Sequence, residues 1–259
     1  MTVRIDEYKI AYCPLPGAGS NAVKTFLAVV DPLHVAQSVD DVTDTELDHN
    51  YSTVPFEAET LARLSGWFKF CVIRDPVARL IDIYENRLAG RDLLLVRDAT
   101  SSNLPSQPDS DTFFSNLSAY RMHSIVVARL VRAATRYLGS DLGLFEAVYP
   151  VEELYRIGHD VGRRAGRSVV LPRRERRLCR TKVQDLSREA QLEIYEFTRE
   201  DYRLMKDFYQ PAVRSLALRH RDAYPQSQAK VGGRDHDAQA SQGCGRVPGN
   251  SRAACAQTA

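Results

Sequence analysis

Two short stretches carry the residue types that handle phosphate groups. Pro16-Gly17-Ala18-Gly19-Ser20-Asn21 follows the apolar run Tyr8–Cys13 and leads into a helical pattern. Arg74-Asp75-Pro76, with Arg79 and Asp82 beyond it, follows the apolar run Phe68–Ile73 in the same way. A strand that turns tightly into a helix presents backbone N–H groups, and the helix dipole favours an anion there. Two such turns on one sheet would hold the two phosphate ends of one nucleotide. Gly17, Gly19, Ser20 and Asn21 are the expected anion-accepting turn. Glycines after a strand are common, so a purely structural turn is the alternative. Arg74 reads either as a phosphate ligand, for which its forked guanidinium is suited, or as a partner of Asp75 and nearby carbonyls. Arg79, one turn on, reads as a solvated helix position, with contact to a phosphate as the alternative. Histidine titrates near working pH, which makes His123 the candidate general base; an ordinary hydrogen-bonded helix histidine is the alternative.

These residues need particular elements to position them. The spacing predicts a strand over Tyr8–Cys13 and a helix from Ser20 or Asn21 to about Val30. Phe68–Ile73 is a second, nearly all-apolar strand, as expected where helices cover both faces. Asp75-Pro76 is a helix start, with Asp at the N-cap and Pro where its missing N–H costs nothing. Residues 97–112 read as a long mobile loop, and Phe113–Leu138 as one or two helices. Leu144–Tyr149 is a third strand, followed by a helix carrying Leu154, Ile157 and Val161. Glu152 and Glu153 suit that helix start. Ser187 caps a last long helix with Leu192, Tyr195, Tyr202, Met205 and Tyr209 on one side. The fold expected is a single α/β domain over 1–222, a P-loop-like, mainly parallel sheet flanked by helices. Residues 223–259, rich in Gln, Gly, Ser, Ala and Arg, are expected to be a disordered tail.

Composition narrows the classes. The chain has 259 residues with a formal net charge of +2, 44% hydrophobic and 26% charged, the profile of a soluble globular protein. No apolar run is long enough to span a bilayer. The first residues lack the apolar stretch of a signal peptide. The five cysteines (Cys13, Cys71, Cys179, Cys244 and Cys255) have no C-x-x-C spacing, so a reduced cytoplasmic protein is expected. No Cys/His cluster has metal-ligand spacing. The strongest charge feature is Arg163, Arg164, Arg167, Arg173, Arg174, Arg176, Arg177, Arg180 and Lys182. No aromatic residue interleaves them to stack a base, so nucleic acid is not expected as a partner.

The two turn units, in this order, resemble the sulfotransferase superfamily, and within it the membrane-type carbohydrate branch with its bacterial relatives. Arg74-Asp75-Pro76-x-x-Arg79-x-x-Asp82-x-Tyr84 is similar to that family's 3′-phosphate motif Arg-Asp-Pro-x-x-Arg-x-x-Ser-x-Tyr. Pro16–Asn21 is similar to its 5′-phosphosulfate loop. His123, Leu144–Tyr149, Glu152-Glu153-Leu154, Leu186–Glu189 and Asp201–Met205 fit its later segments. The resemblance implies PAPS (3′-phosphoadenosine 5′-phosphosulfate) as co-substrate and a hydroxyl-bearing glycan or small metabolite as acceptor. It implies that Gly17, Gly19, Ser20, Asn21, Arg74 and Asp82 bind the nucleotide and that His123 is catalytic. It also implies that some of the clustered arginines lie near the nucleotide. Two positions depart. The family's lysine after the loop proline is Gly17 here, and its phosphate-donating serine is Asp82. A carboxylate ~4 Å from a phosphate charge costs about 4 kcal/mol at an effective dielectric near 20. Asp82→Ser is therefore expected to tighten binding of a 3′-phosphate. Lysine at Gly17 would restore a cation if φ there is negative. These departures keep a second reading open, a catalytically degenerate relative that binds a nucleotide or a protein. A P-loop kinase is disfavoured, since G-x-x-x-x-G-K-[ST] is absent.

Overall fold

The computed structural model describes residues 2–33, 42–43, 47, 49–94, 103–166, 171 and 180–211. Four strands, β1 Val3–Ile5, β2 Ile10–Cys13, β3 Phe68–Ile73 and β4 Ala147–Pro150, form one sheet in the order β1-β2-β3-β4. β2 and β3 run parallel with Cys13 opposite Cys71, and β3 and β4 run parallel with Cys71 opposite Val148. β1 adds an antiparallel edge through a turn in which Lys9 takes φ 51° and donates its N–H to the Asp6 carbonyl at 3.2 Å. The sheet is thus mixed. The sequence reading missed β1, because three residues are too short to show a period and only pairing with β2 makes them a strand.

The helices begin where local chemistry says they should. α1 spans Ser20–Val30 after β2, α2 spans Ala58–Ala62, and α3 spans Pro76–Ile83 after β3. The Asp75 side chain accepts from Ala78 N at 2.9 Å, with Pro76 in the first turn. α3 runs on into a π-helical turn at Tyr84–Leu88. The expected one or two helices over Phe113–Leu138 are instead α4 Ser110–Ser115, α5 Leu117–His123, α6 Ile125–Leu130 and α7 Thr135–Leu138. Local caps divide them: Ser124 accepts from Val127 N at 3.4 Å, and Asp109 starts α4 by accepting from Thr112 N at 2.7 Å. α8 is Tyr155–Ala165, and α9 is Arg188–Leu204, with Ser187 accepting from Ala190 N at 3.3 Å.

Two apolar clusters result. One lines the sheet: Ile10, Tyr12, Phe70 and Val72 meet Val23, Phe26 and Leu27 of α1 and Ile157 and Val161 of α8. Tyr12 stacks on Phe70 with centroids 5.0 Å apart. The second joins Leu80 and Ile83 of α3 to Phe113, Phe114, Leu117 and Tyr120, and to Ala190 and Ile194 of α9. α9 buries Ala190, Ile194, Thr198, Asp201 and Tyr202, while Leu192 and Tyr195 are only half-buried. Of the side expected from sequence, Tyr202 and Met205 are buried, and the buried stripe also includes a carboxylate. Cys13 and Cys71 are free and buried. Burial pushes the Cys13 thiol up to about 11 and raises that of Cys71, so both are packing residues.

The expected boundary at 222, the tail 223–259, residues 97–102 of the expected loop, and Cys179, Cys244 and Cys255 lie outside the described residues. So do Arg167, Arg173, Arg174, Arg176 and Arg177. Among the described residues, no helix is long and apolar enough to cross a membrane, and no group of three or more His, Cys, Asp or Glu side chains could hold a metal ion.

Candidate active site at the carboxyl edge of the sheet

Because β2 and β3 are adjacent and parallel, the turns that follow them open at the same sheet edge. That is where open α/β sheets collect ligands. After β2, Ala18 N donates to the Leu15 carbonyl at 3.2 Å, and Gly17 and Gly19 take φ +79° and +73°. Gly19 is the N-cap of α1. As a glycine the N-cap offers no side chain to the first N–H groups of the helix, and no acid lies in the first turn. Its first backbone N–H groups are thus suited to an anion. Ser20 is buried there and Asn21 half-buried.

Arg74 joins the two turns. Its Nη1 donates to the Gly17 carbonyl at 3.1 Å and lies 2.5 Å from Asp82 Oδ1. Asp82 Oδ1 also accepts from Asn86 Nδ2 at 3.1 Å. Gly17, Arg74 and Asp82 thus meet at one point, next to Gly19 and Ser20 in the chain. Asp82 does not stand alone against an anion, because its partner is the arginine itself. Gly17 is closed to a side chain: a Cβ there would lie 2.8 Å from Ile83 Cγ1 and 2.9 Å from Arg79 Cγ, at positive φ. The condition on which a lysine at 17 could restore a cation therefore fails. Lys24 is buried on α1, with Nζ donating to Thr53 Oγ1 at 2.8 Å.

Arg79 corrects its expected place in solvent. It is among the largest fully buried side chains, donating from Nη1 to the Pro16 carbonyl at 3.2 Å and from Nη2 to the Arg132 carbonyl at 2.7 Å. Nη2 also pairs with Asp201 Oδ2 at 3.0 Å, and Asp201 Oδ1 accepts from Ala134 N at 2.6 Å. Burial raises the Asp201 carboxyl above its ordinary range, with Arg79 opposing that shift. This pair ties the first turn, α3, the start of α7 and α9 together. Arg79 therefore holds the site's backbone and does not face a ligand.

α9 and the segment after it supply residues that sequence reasoning assigned only to packing. Tyr202 OH donates to Asp75 Oδ2 at 2.8 Å, and Tyr209 OH donates to Glu152 Oε2 at 2.9 Å, 3.5 Å from the Ile73 carbonyl. Burial first, then the adjacent carboxylate, raises both phenols. The missed signal was an acid, Asp201, on the apolar stripe of Ile194, Thr198 and Met205. A buried acid requires a partner, and Arg79 was the one to seek. Asp75→Ala removes the α3 cap and the Tyr202 acceptor together. It is expected to cost about 1–2 kcal/mol in urea unfolding, while Asp75→Asn, which keeps an acceptor oxygen, recovers most of it. An Asp75→Asn variant as unstable as Asp75→Ala would show that charge, not the cap, matters.

The structure does not join His123 to this group. It ends α5, is exposed, and makes no hydrogen bond or ion pair with Gly17, Arg74 or Asp82. Of the described members of the arginine cluster, Arg164 sits 3.8 Å over the Phe68 ring and Arg163 lies 3.7 Å from Asp160. Phe68 begins β3, so Arg164 lies at the opposite sheet edge. Arg180 N and Thr181 N donate to Glu85 on the π-helical turn, at 3.0 and 2.5 Å. That anchors the end of the cluster beside the helix bearing Asp82.

Residues 1–126, which hold β1–β3 and both turns, match a family model described as Sulfotransferase family. Over this stretch the chain is similar to the sulfotransferase family. Carbohydrate sulfotransferase 10 of Gallus gallus is 30% identical over 88 residues, which is 32% of this chain and 24% of that protein. The Homo sapiens protein of the same name has the same identity and coverage, and that of Xenopus laevis is 28% identical over 88 residues. The chain spans about a quarter (24%) of the length of these relatives. No solved structure matches it. Asp201, Tyr202 and Tyr209 lie beyond the sulfotransferase-family stretch, so the region that resembles the family is completed spatially by residues outside it.

Proposed function

We propose that the protein is a sulfotransferase that moves a sulfuryl group from a nucleoside 5′-phosphosulfate to a hydroxyl of a glycan or small metabolite. PAPS is the donor implied by the family. The observation that carries this reading is the meeting of the two turns: Arg74, at the start of the second, donates to the Gly17 carbonyl of the first. In this reading the α1 N-terminus, at Gly19, Ser20 and Asn21, holds the 5′-phosphosulfate. Arg74 and Asp82 face the ribose 3′ position. The acceptor oxygen attacks sulfur in line, and the bond from sulfur to the 5′-phosphate oxygen breaks. The nucleotide leaves with that electron pair, and the acceptor's proton passes to a base, for which His123 is the candidate from the family resemblance. Acceleration would come from alignment of the reactants and from backbone N–H groups facing the charge that develops on the leaving phosphate.

Calorimetric titration with AMP and with PAP (3′,5′-diphosphoadenosine) tests this without knowing the acceptor. Binding of either nucleotide at one site per chain is expected. Arg74→Ala should weaken binding by about 1.5–3 kcal/mol with unfolding little changed. A folded protein that binds neither nucleotide would end this reading. The second reading, a relative that binds nucleotide without transfer, is favoured by Gly17, where positive φ and the Ile83 and Arg79 side chains leave no room for the family's lysine. Nucleotide binding with no consumption of PAPS or of adenosine 5′-phosphosulfate would support it.

A further inference from the structure

Asp82, one of the two positions that depart in charge from the family pattern, is the one paired with the expected phosphate ligand. Arg74 Nη1 lies 2.5 Å from Asp82 Oδ1 and 3.1 Å from the Gly17 carbonyl. Asn86 Nδ2 donates to the same Asp82 oxygen at 3.1 Å, so the carboxylate is held from two sides. The pair is not sealed off, since the two side chains remain 19% and 24% exposed. A ligand at this edge therefore meets a guanidinium and a carboxylate side by side.

Those two groups read a ribose differently from a lone arginine. A 3′-phosphate brings up to two negative charges against Asp82 and must compete with it for Arg74. A free 3′-hydroxyl suits both partners, because a carboxylate accepts its O–H and a guanidinium N–H donates to its oxygen. Dinucleotide-binding folds separate their ligands by the same chemistry, an acid for a ribose hydroxyl and an arginine for a ribose phosphate. We infer that the Arg74–Asp82 pair selects a nucleotide with an unphosphorylated 3′-hydroxyl, so that the sulfuryl donor is an adenosine 5′-phosphosulfate and not PAPS. The inference rests on the nucleotide-binding reading of the two turns.

The test is calorimetric titration of AMP and PAP, the products left by the two donors, into the natural protein, Asp82→Ser and Asp82→Asn. Near-UV circular dichroism confirms that each is folded. The natural protein should bind AMP at least as tightly as PAP. Both variants remove the carboxylate charge and should raise the affinity for PAP relative to AMP about tenfold or more. The ratio is internal to each variant, so a modest loss of stability does not disturb it. If Asp82→Ser fails to fold, the ratio in the natural protein and in Asp82→Asn still decides. Tighter binding of PAP than AMP by the natural protein overturns the inference and leaves the nucleotide reading standing. A ratio unmoved in both variants also overturns it. Binding of neither nucleotide by the folded natural protein removes the reading and the inference together.

Discussion

Arg79→Ala is expected to lower the unfolding free energy by about 3–5 kcal/mol, the scale for removing one partner of a buried ion pair. The side chains of Arg79 and Asp201 are 1% and 3% exposed and 3.0 Å apart. Removing the guanidinium leaves a buried carboxylate and withdraws the donor from the Pro16 and Arg132 carbonyls. The pH dependence identifies the cause. Asp201 has its pKa raised in the folded state by burial, so the native protein binds that proton more tightly than the unfolded chain. The group's contribution is most favourable below the unfolded value and falls as pH rises through the folded one. Without Arg79, which opposes the shift, the folded value rises further. The deficit of Arg79→Ala should therefore be smallest near pH 4 and grow toward about pH 7. Urea unfolding of both proteins across that range measures it, and a deficit flat with pH would sink the charge argument. An Arg79→Met, Asp201→Leu double variant should recover only part of the loss. It removes the buried charge, but the two carbonyls and the Ala134 N–H stay without partners.

Gly17→Ala is expected to cost about 2–5 kcal/mol. Two effects add: an L-residue held at left-handed φ costs about 1–2 kcal/mol, and crowding a filled core costs about 1–3 kcal/mol. Gly17 has φ +79°, and its Cβ would fall 2.8 Å from Ile83 Cγ1 and 2.9 Å from Arg79 Cγ. Gly66 is the internal control, since it has φ +74° with nothing within 4 Å of a Cβ. Gly66→Ala reads the backbone strain alone, and the difference between the two variants reads the crowding. Thermal or urea unfolding of both suffices. If Gly17→Ala costs no more than Gly66→Ala, the turn is looser than its contacts imply, and a lysine at 17 returns as a possibility.

These two expectations come from opposite ends of what the sequence makes legible. Phe68–Ile73 is a strand over its whole predicted length, and Asp75, Pro76 and Ser187 start helices as read. Strand length, caps and proline positions act over a few residues, so their outcome is written locally. The sulfotransferase-like pair of turns was legible for the same reason, each being a strand–turn–helix signal complete in itself. Register then did the rest: pairing Cys13 with Cys71 brought both turns to one edge.

What local signals do not carry is which charged groups meet. Arg79 looked solvated because a polar residue on an amphipathic helix usually is, but its carboxylate partner is 122 residues away in sequence. Asp82 looked like a repulsive neighbour for a phosphate, and it turned out to be held against Arg74. Val3–Ile5 became a strand only by pairing with β2. The sequence by itself determined β2, β3, the caps and the two strand–turn–helix units. Only the tertiary structure decided the ion pairs, because burying a charge costs several kcal/mol unless a partner is brought to it, and that partner can come from anywhere in the chain.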